Sequence, residues 1–527
     1  MMAKIIPSGP TLNRPFLCLT ALFVAAVGST SLRADSFHDA FGDRFRGGQQ
    51  PAPTVLHHRY NSDPIRRWNE IAINATGLDH TPVGPNETRI FGEQLGPGRS
   101  SRAMAIVHIA MADAVAAGQH CGFESYTGIH AEARRLSLDA AIEQAAHDTL
   151  VALYPSQATQ MGALLKEDLL RLRCDKLERS NGRKLGRQVA AALLAMRAND
   201  GSQKAEPHVG VDYFPSQLAG HWRQDPVSVI PLALGAYWGE CTPFVLKSSS
   251  QFRTPAPPAL NSAEYTKAYH EAKTIGGDGV TTPTARTAEQ TLTALYWAYD
   301  GTPSLCAPPR LYNQIVVRIA DETHLDTIQI ALLLALANVA MADTSFSAWE
   351  SKYHWDFWRP ITGIRESDHG TGPTGSGDGN PATVGDPDFR PLGAPASNLM
   401  GPNFTPPFPA YPSGHAAFGG ALFQVLRRFY HTDRIGFTFV SDEFNGVTKA
   451  NDGTTRPYLP RSFSSFSQAE EENGQSRIYL GIHWSFDKVE GIAQGRRVAD
   501  YVFDRVFRPV GLAQPGTAEG GNVLNTQ

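Results

Sequence analysis

The sequence predicts an all-α protein of two helical bundles with loop-rich connections, the second bundle carrying the functional site. Three observations point there. Apolar residues recur at helical spacing in two sets of segments, within 101–199 and 287–508. Stretches rich in Pro and Gly, at 201–285 and 370–409, separate and interrupt those sets. Runs alternating with the period of a strand are scarce.

The first 34 residues read as a signal peptide. Lys4 and Arg14 precede an apolar run over 16–27, followed by small residues and a cleavage point before Asp35. Export to the periplasm or the extracellular space is therefore expected. That run is too short to span a bilayer, and no later segment reads as a membrane span. Residues 35–100 read as an irregular N-terminal segment with one helix around Trp68-Asn69-Glu70.

The N-terminal bundle with its loop-rich connector occupies 101–284. Its first helix starts near Arg102, carries Met104, Val107, Met111 and Val115 on one face, and stops at the breaker 118–122. Further helices are expected at 138–154, stopped by Pro155, at 158–174, and at 184–199, closed by Asp200-Gly201. The C-terminal bundle occupies 285–510, with helices at 287–299, 310–321, 327–353, 415–430, 468–480 and 487–508. Residues 511–527 read as a flexible tail. His108 and His147 sit within helices and read as structural.

Composition narrows the class. Of 527 residues 42% are hydrophobic and 19% charged, at a net charge of −4, which suits a large globular core. No Lys/Arg run or basic stripe stands out, so nucleic acid is not an expected partner. Removal of the signal peptide takes Cys18 and leaves Cys121, Cys174, Cys241 and Cys306, none in a C-x-x-C pair. Zinc clusters and thioredoxin-like chemistry thus have no support. In an up-down bundle the first and third helices end on the same side, which pairs Cys121 with Cys174. Cys241 and Cys306, both in Pro-rich loops, form the second expected bridge; four free thiols are the alternative.

Three segments hold residues whose types make sense together: Lys352 and Arg359-Pro360, Pro412-Ser413-Gly414-His415, and Ser476-Arg477 followed by His483 and Asp487. Two Arg and one Lys are three positive charges, suited to surround a tetrahedral oxyanion. Ser413 and Gly414 open an apolar helix, whose first N–H groups and dipole favour an anion. His483 and His415 remain, one to bond the central atom and one to move protons. Gly481 lets the chain leave the preceding helix before His483. Taken singly each piece is an ordinary helix end or turn; the joint pattern is an oxyanion trap.

At these residues the chain resembles the superfamily of vanadium-dependent haloperoxidases and type 2 phosphatidic acid phosphatases. Residues 408–416 (FPAYPSGHA) and 476–484 (SRIYLGIHW) are very similar to its vanadium chloroperoxidase branch, as are 297–301 (WAYDG) and 357–360 (FWRP). The match covers roughly 285–495. The resemblance implies a vanadate cofactor bonded to His483, with Lys352, Arg359, Ser413, Gly414 and Arg477 holding its oxygens. It implies that His415 is the acid–base residue, that Asp300 partners Arg477, and that Lys352 polarises the peroxide. Phe408 and Trp349 fall where aromatic residues surround the halide. The expected reaction is oxidation of chloride or bromide by hydrogen peroxide to hypohalous acid, with an organic acceptor left open.

The same trap fits phosphate, with His483 as a phosphohistidine nucleophile and His415 protonating the leaving alcohol. Asp300, Phe408 and the aromatic segment around Trp358 favour the peroxidase, and a lipid phosphatase would need membrane helices. A helical scaffold protein with a dead site would show a broken signature, and every position is filled.

Overall fold

The computed structural model describes residues 36–47, 62–118 and 122–510. The expected signal peptide (1–34), the tail (511–527), Cys18 and Cys121 lie outside them. The chain is helix-dominated, as its patterning predicts, with two small antiparallel sheets.

The segment expected to be irregular is more ordered than that. Helix α1 (Phe37–Phe41) is closed at its start by a reciprocal Ser36–Asp39 capping box. A short strand β1 (Arg46–Gly47) follows, and then α2 (Pro64–Asp79), which begins where Asp63 accepts from the N–H groups of Ile65 and Arg66. The N-terminal bundle adds α3 (Gly96–Gly118), α4 (Leu138–Leu153), α5 (Ala158–Arg171) and α6 (Lys176–Arg197). Boundaries in this bundle differ from expectation at three helices, and α3 starts at Gly96, six residues before Arg102. Helix α5 stops at Arg171, and α6 starts eight residues earlier than the apolar pattern suggested, because an Asp175–Glu178 capping box nucleates it in a polar stretch.

The connector also hides a helix, α7 (Ala263–Ile275). The C-terminal bundle then comprises α8 (Ala288–Tyr296), α9 (Pro308–Glu322), α10 (Thr327–Trp355) and the short α11 (Pro360–Arg365). Strand β2 (Leu399–Met400) pairs with β1, and α12 (Gly414–Tyr430) follows. An unexpected hairpin, β3 (Phe437–Asn445) and β4 (Tyr458–Phe463), precedes α13 (Phe466–Tyr479) and α14 (Ser485–Phe503).

Helix α10 is the axis of the fold. It packs on α3 on one side and on α12 and α14 on the other, so one hydrophobic cluster runs through both bundles. By length and composition it could cross a membrane, which the sequence reading denied of any late segment, but its apolar window is 94% buried inside the protein. Asn338 of α10 and Asn313 of α9 bond each other reciprocally at 2.7 and 2.9 Å, satisfying two buried amides. Asp343 accepts from the N–H groups of Phe244, Val245 and Leu246, and Trp349 Nε1 and Tyr353 Oη both donate to the Leu234 carbonyl. These bonds fasten the connector along α10.

The expected Cys241–Cys306 bridge is absent, and Cys121, expected to pair with Cys174, lies outside the described residues. Cys174, Cys241 and Cys306 are free thiols. Cys174 lies in the turn between α5 and α6, just before the Asp175 cap. Cys241 follows a turn of 3-10 helix and packs beside Gly201, whereas the Cys306 sulfur lies 4.0 Å from His80 Nε2. Local turns send the Cys241 and Cys306 side chains to different neighbours.

Burial also creates a pH liability in α4. Glu143 is nearly buried beside Asp168 and Asp139, and desolvation with those like charges pushes its carboxyl up to about 9. Below the usual value of 4.5 both folded and unfolded chains hold the proton. Between there and about 9 only the folded chain does, so stability is progressively lost as pH rises through that window. Glu143→Gln is therefore expected to leave the melting temperature unchanged near pH 4 and to raise it by several degrees at pH 8–9. Melting curves across pH check this, and a gain that does not grow with pH refutes it.

Candidate active site

Three local devices bring the signature residues together. Ser413 caps α12 through its hydroxyl, which accepts from the Ala416 N–H at 3.4 Å, so Gly414 and His415 form the first turn. Helix α14 lies against that turn at backbone contact. A Cβ at Gly491 would meet the Ser413 carbonyl at 2.7 Å, and one at Gly495 the Ala417 carbonyl at 2.0 Å. The N-termini of the two helices are therefore adjacent, and Ser413 N–H donates to the Asp487 carbonyl at 2.9 Å. Third, Gly481 ends α13 at φ +70°, with the Gly276 carbonyl so close that no side chain fits. That reversal puts Arg477 and His483 on one pocket.

The pocket measures about 710 Å³ including its mouth. Asp300, Gly414, His415, Arg477 and His483 line its polar floor, and Phe41, Leu232, Leu234, Trp349, Phe404 and Phe408 contribute to its apolar walls. Arg359, Lys352 and Ser413 stand behind that surface. The Trp349 and Phe408 rings lie 5.0 Å apart, and the Arg359 guanidinium sits 5.0 Å from the Phe408 ring.

His483 Nδ1–H donates to Asp487 Oδ2 at 2.8 Å, which leaves the Nε2 lone pair facing Arg359 Nη1 at 2.9 Å. Arg359 also donates from Nε to the Phe408 carbonyl and from Nη1 to the Ile482 carbonyl, both at 2.9 Å. Arg477 Nη2 donates to Asp300 Oδ1 at 2.6 Å, so the expected pairing is present. His415 Nε2–H donates to the Ala298 carbonyl at 2.5 Å, leaving Nδ1 as its basic nitrogen. Lys352 spends its three ammonium protons on the carbonyls of Pro409, Ala410 and Pro412. It holds the loop that carries Phe408 and lies 5.1 Å from that ring.

The electrostatics ask for an anion. Burial, reinforced by Arg477, holds His415 well below the usual imidazole value, and burial with Arg359 does the same to His483. Arg359 itself is pushed down to about 9, first by burial, and Lys352 well down by burial and Arg359. Burial raises Asp300 against the pull of Arg477, and raises Asp487 to about 7. Among the described residues, Arg359 Nη2 and Arg477 Nε and Nη1 are buried without a hydrogen-bond partner. Unmade bonds of that kind cost about 1–3 kcal/mol each, more for charged groups, so such donors are kept where something accepts them. The donor set fits a tetrahedral oxyanion.

The sequence reading gave no role to Asp487, although its i,i+4 spacing from His483 is the signal that the two share a helical start. It also missed the Ala298 carbonyl, which as a backbone atom leaves no trace in residue identity.

A family profile described as the VCPO second helical-bundle domain matches residues 332–511. The vanadium chloroperoxidase of Curvularia inaequalis is 30% identical over 510 residues, covering 81% of this chain and 79% of that protein. Among solved structures, a bacterial vanadium-dependent iodoperoxidase aligns with a TM-score of 0.66 at 23% identity, over 88% of this chain and all of that one. A holo-type bacterial vanadium-dependent chloroperoxidase aligns at 0.57 and 20% identity, over 78% and 92%. With the second bundle matched and most of both chains aligned to a curated relative, this chain belongs to the vanadium-dependent haloperoxidase family.

Proposed function

We propose that the protein binds vanadate at His483 and uses hydrogen peroxide to oxidise halides, chloride and bromide among them, to hypohalous acid. One observation carries the reading. Two buried arginines, Arg359 and Arg477, keep three guanidinium nitrogens without partners at a pocket whose floor also holds His483, its accepting nitrogen 2.9 Å from Arg359 Nη1. His483 Nε2 is the atom that would bond vanadium, with Asp487 fixing its tautomer. Arg359, Arg477, Lys352 and the first turn of α12 at Ser413 and Gly414 would hold the oxygens. Bound there, vanadate supplies a Lewis acid that activates peroxide without changing its own oxidation state.

The chain's own residues do the rest. Asp300 holds Arg477 in place with one oxygen. His415 takes up and returns a proton at Nδ1 while Ala298 anchors its other nitrogen. Lys352, strapped to three carbonyls, keeps positive charge behind the Phe408 loop. To donate to an oxygen in the pocket itself, Lys352 would have to give up one of those carbonyls. Phe408 and Trp349 exclude water from the halide's approach, which strengthens every charge interaction nearby.

The test is a panel of chloride, bromide and iodide with peroxide and vanadate, run across pH beside hydrolysis of a chromogenic phosphate ester. Vanadate-dependent oxidation of all three halides is expected, with chloride best at acid pH and ester hydrolysis slower by orders of magnitude. Oxidation of iodide and bromide but never chloride removes the role given to Phe408. Vanadate-inhibited ester hydrolysis without halide oxidation favours the phosphohistidine reading.

A further inference from the structure

The hairpin that sequence reading overlooked contacts the active site through one turn of chain. Residues 296–301 present two groups to the pocket floor: the Ala298 carbonyl, bonded by His415, and Asp300, bonded by Arg477. Beyond Tyr296, the last residue of α8, that turn has no helix or sheet of its own, and Tyr299 is left-handed at φ +45°. A tyrosine adopts such a backbone only where its surroundings hold it there.

Strand β3 does the holding. Tyr296 Oη donates to the Phe439 carbonyl at 2.7 Å, and Ser441 Oγ to the Tyr296 carbonyl at 2.6 Å. Asp442 N–H donates to Tyr299 Oη at 2.6 Å. At the centre lies Glu443, fully buried, whose two oxygens do different things. Oε1 accepts from the Tyr299 N–H at 3.3 Å, next to Asp300. Oε2 accepts from Ser397 Oγ at 2.7 Å and from Arg456 Nη1. One carboxylate thus joins the turn that orients His415 and Arg477 to the loop that leads into the pocket wall at Phe404.

We propose that Glu443 is a positioning residue for the reaction, clamping the 296–301 turn so that Ala298 fixes the tautomer of His415 and Asp300 fixes Arg477. The proposal rests on the reading of His415 as the proton-transfer group. A buried carboxylate with an arginine partner has an obvious alternative role, as an ion pair that merely stabilises the hairpin. The two roles use different oxygens, so two conservative variants separate them.

Glu443→Asp keeps the charge for Arg456 but is one methylene short of spanning to the Tyr299 N–H. Glu443→Gln keeps the reach and an accepting oxygen but loses the charge. If Glu443 positions the turn, the Asp variant of the vanadate-loaded enzyme loses at least tenfold in kcat, with peroxide KM within threefold and a displaced pH profile. The Gln variant then stays within threefold in kcat and keeps the wild-type profile. If it is only an ion pair the pattern inverts: Gln melts lower and loses activity in step, and Asp keeps the wild-type kcat and pH profile whatever it loses in melting temperature. That inversion overturns the proposal.

A second readout needs no turnover. Long-range ¹H–¹⁵N correlation on histidine-labelled full-length protein reports the tautomer of His415, assigned by its loss in His415→Gln. The Nε2–H form is expected in the wild type and in Glu443→Gln, and a mixture in Glu443→Asp. An unchanged tautomer in Glu443→Asp also overturns the proposal. A tautomer shift alongside a fully active His415→Ala would keep the clamp but refute the proton-transfer role on which its catalytic meaning rests.

Discussion

Replacing His483 with alanine is expected to abolish both vanadate binding and halide oxidation while the chain stays folded. The imidazole contributes a nitrogen lone pair on the pocket floor, held toward Arg359 Nη1 at 2.9 Å, with its tautomer set by Asp487 at 2.8 Å. Without it, Arg359 and Arg477 still attract an oxyanion, but nothing holds its central atom. The fold survives because the carboxylate keeps the Trp484 N–H at 3.0 Å, the bond that caps α14. The cost is a cavity and a less satisfied buried carboxylate, about 2–4 kcal/mol in a helical protein with an extensive core. Isothermal titration with vanadate and a bromide-oxidation assay, with a melting curve as control, check this. Near-wild-type oxidation by a folded His483→Ala protein would sink the vanadate assignment. Loss of titratable vanadate binding distinguishes the result from a mere defect in proton transfer.

Much of this site was legible because its chemistry is carried by side-chain type at short spacing. Charges and imidazoles cannot be buried cheaply, so where three cations and two histidines recur in helix-terminal segments, a ligand is the economical explanation. Ser413-Gly414 before an apolar helix and Gly481 before His483 state the local geometry outright, and the structure has both. Helix periodicity located the long elements for the same reason: α10 and α12 bury continuous faces.

What was missed has physical causes too. Helix α6 begins in a polar stretch, nucleated by a capping box and amphipathic only further on. Helix α7 lies between loops and buries one narrow stripe, Tyr265, Ala268, Tyr269 and Ala272. The β3 pattern was present, with Phe437, Phe439, Ser441 and Glu443 alternately buried, but two of those four residues are polar and hide the strand from a search for apolar alternation. The expected Cys241–Cys306 bridge failed for a deeper reason. Thiol proximity depends on turn geometry at a few ångströms, and membership of two Pro-rich loops fixes position far more coarsely.

His415→Ala is expected to separate binding from turnover, retaining vanadate affinity within a few-fold while lowering kcat by about 10² to 10⁴-fold, the usual contribution of a general acid–base group. The imidazole donates from Nε2 to the Ala298 carbonyl and lines the pocket, so its Nδ1 is the nitrogen that can exchange a proton there. Burial and Arg477 hold it neutral well below the usual imidazole range, which makes it a proton acceptor in the resting protein at neutral and mildly acid pH. An anion on the floor opposes Arg477 and raises that value, so the same group becomes able to donate once the site is loaded. Alanine removes this exchange but leaves the helix start intact, because the His415 backbone carbonyl is held independently by Tyr312 Oη at 3.0 Å and Asn473 Nδ2 at 2.9 Å. Vanadate titration beside steady-state kinetics at several pH values decides the matter. If affinity collapses while turnover per bound vanadate survives, the roles of His415 and His483 are reversed. If both survive, proton transfer belongs to another group on the pocket floor.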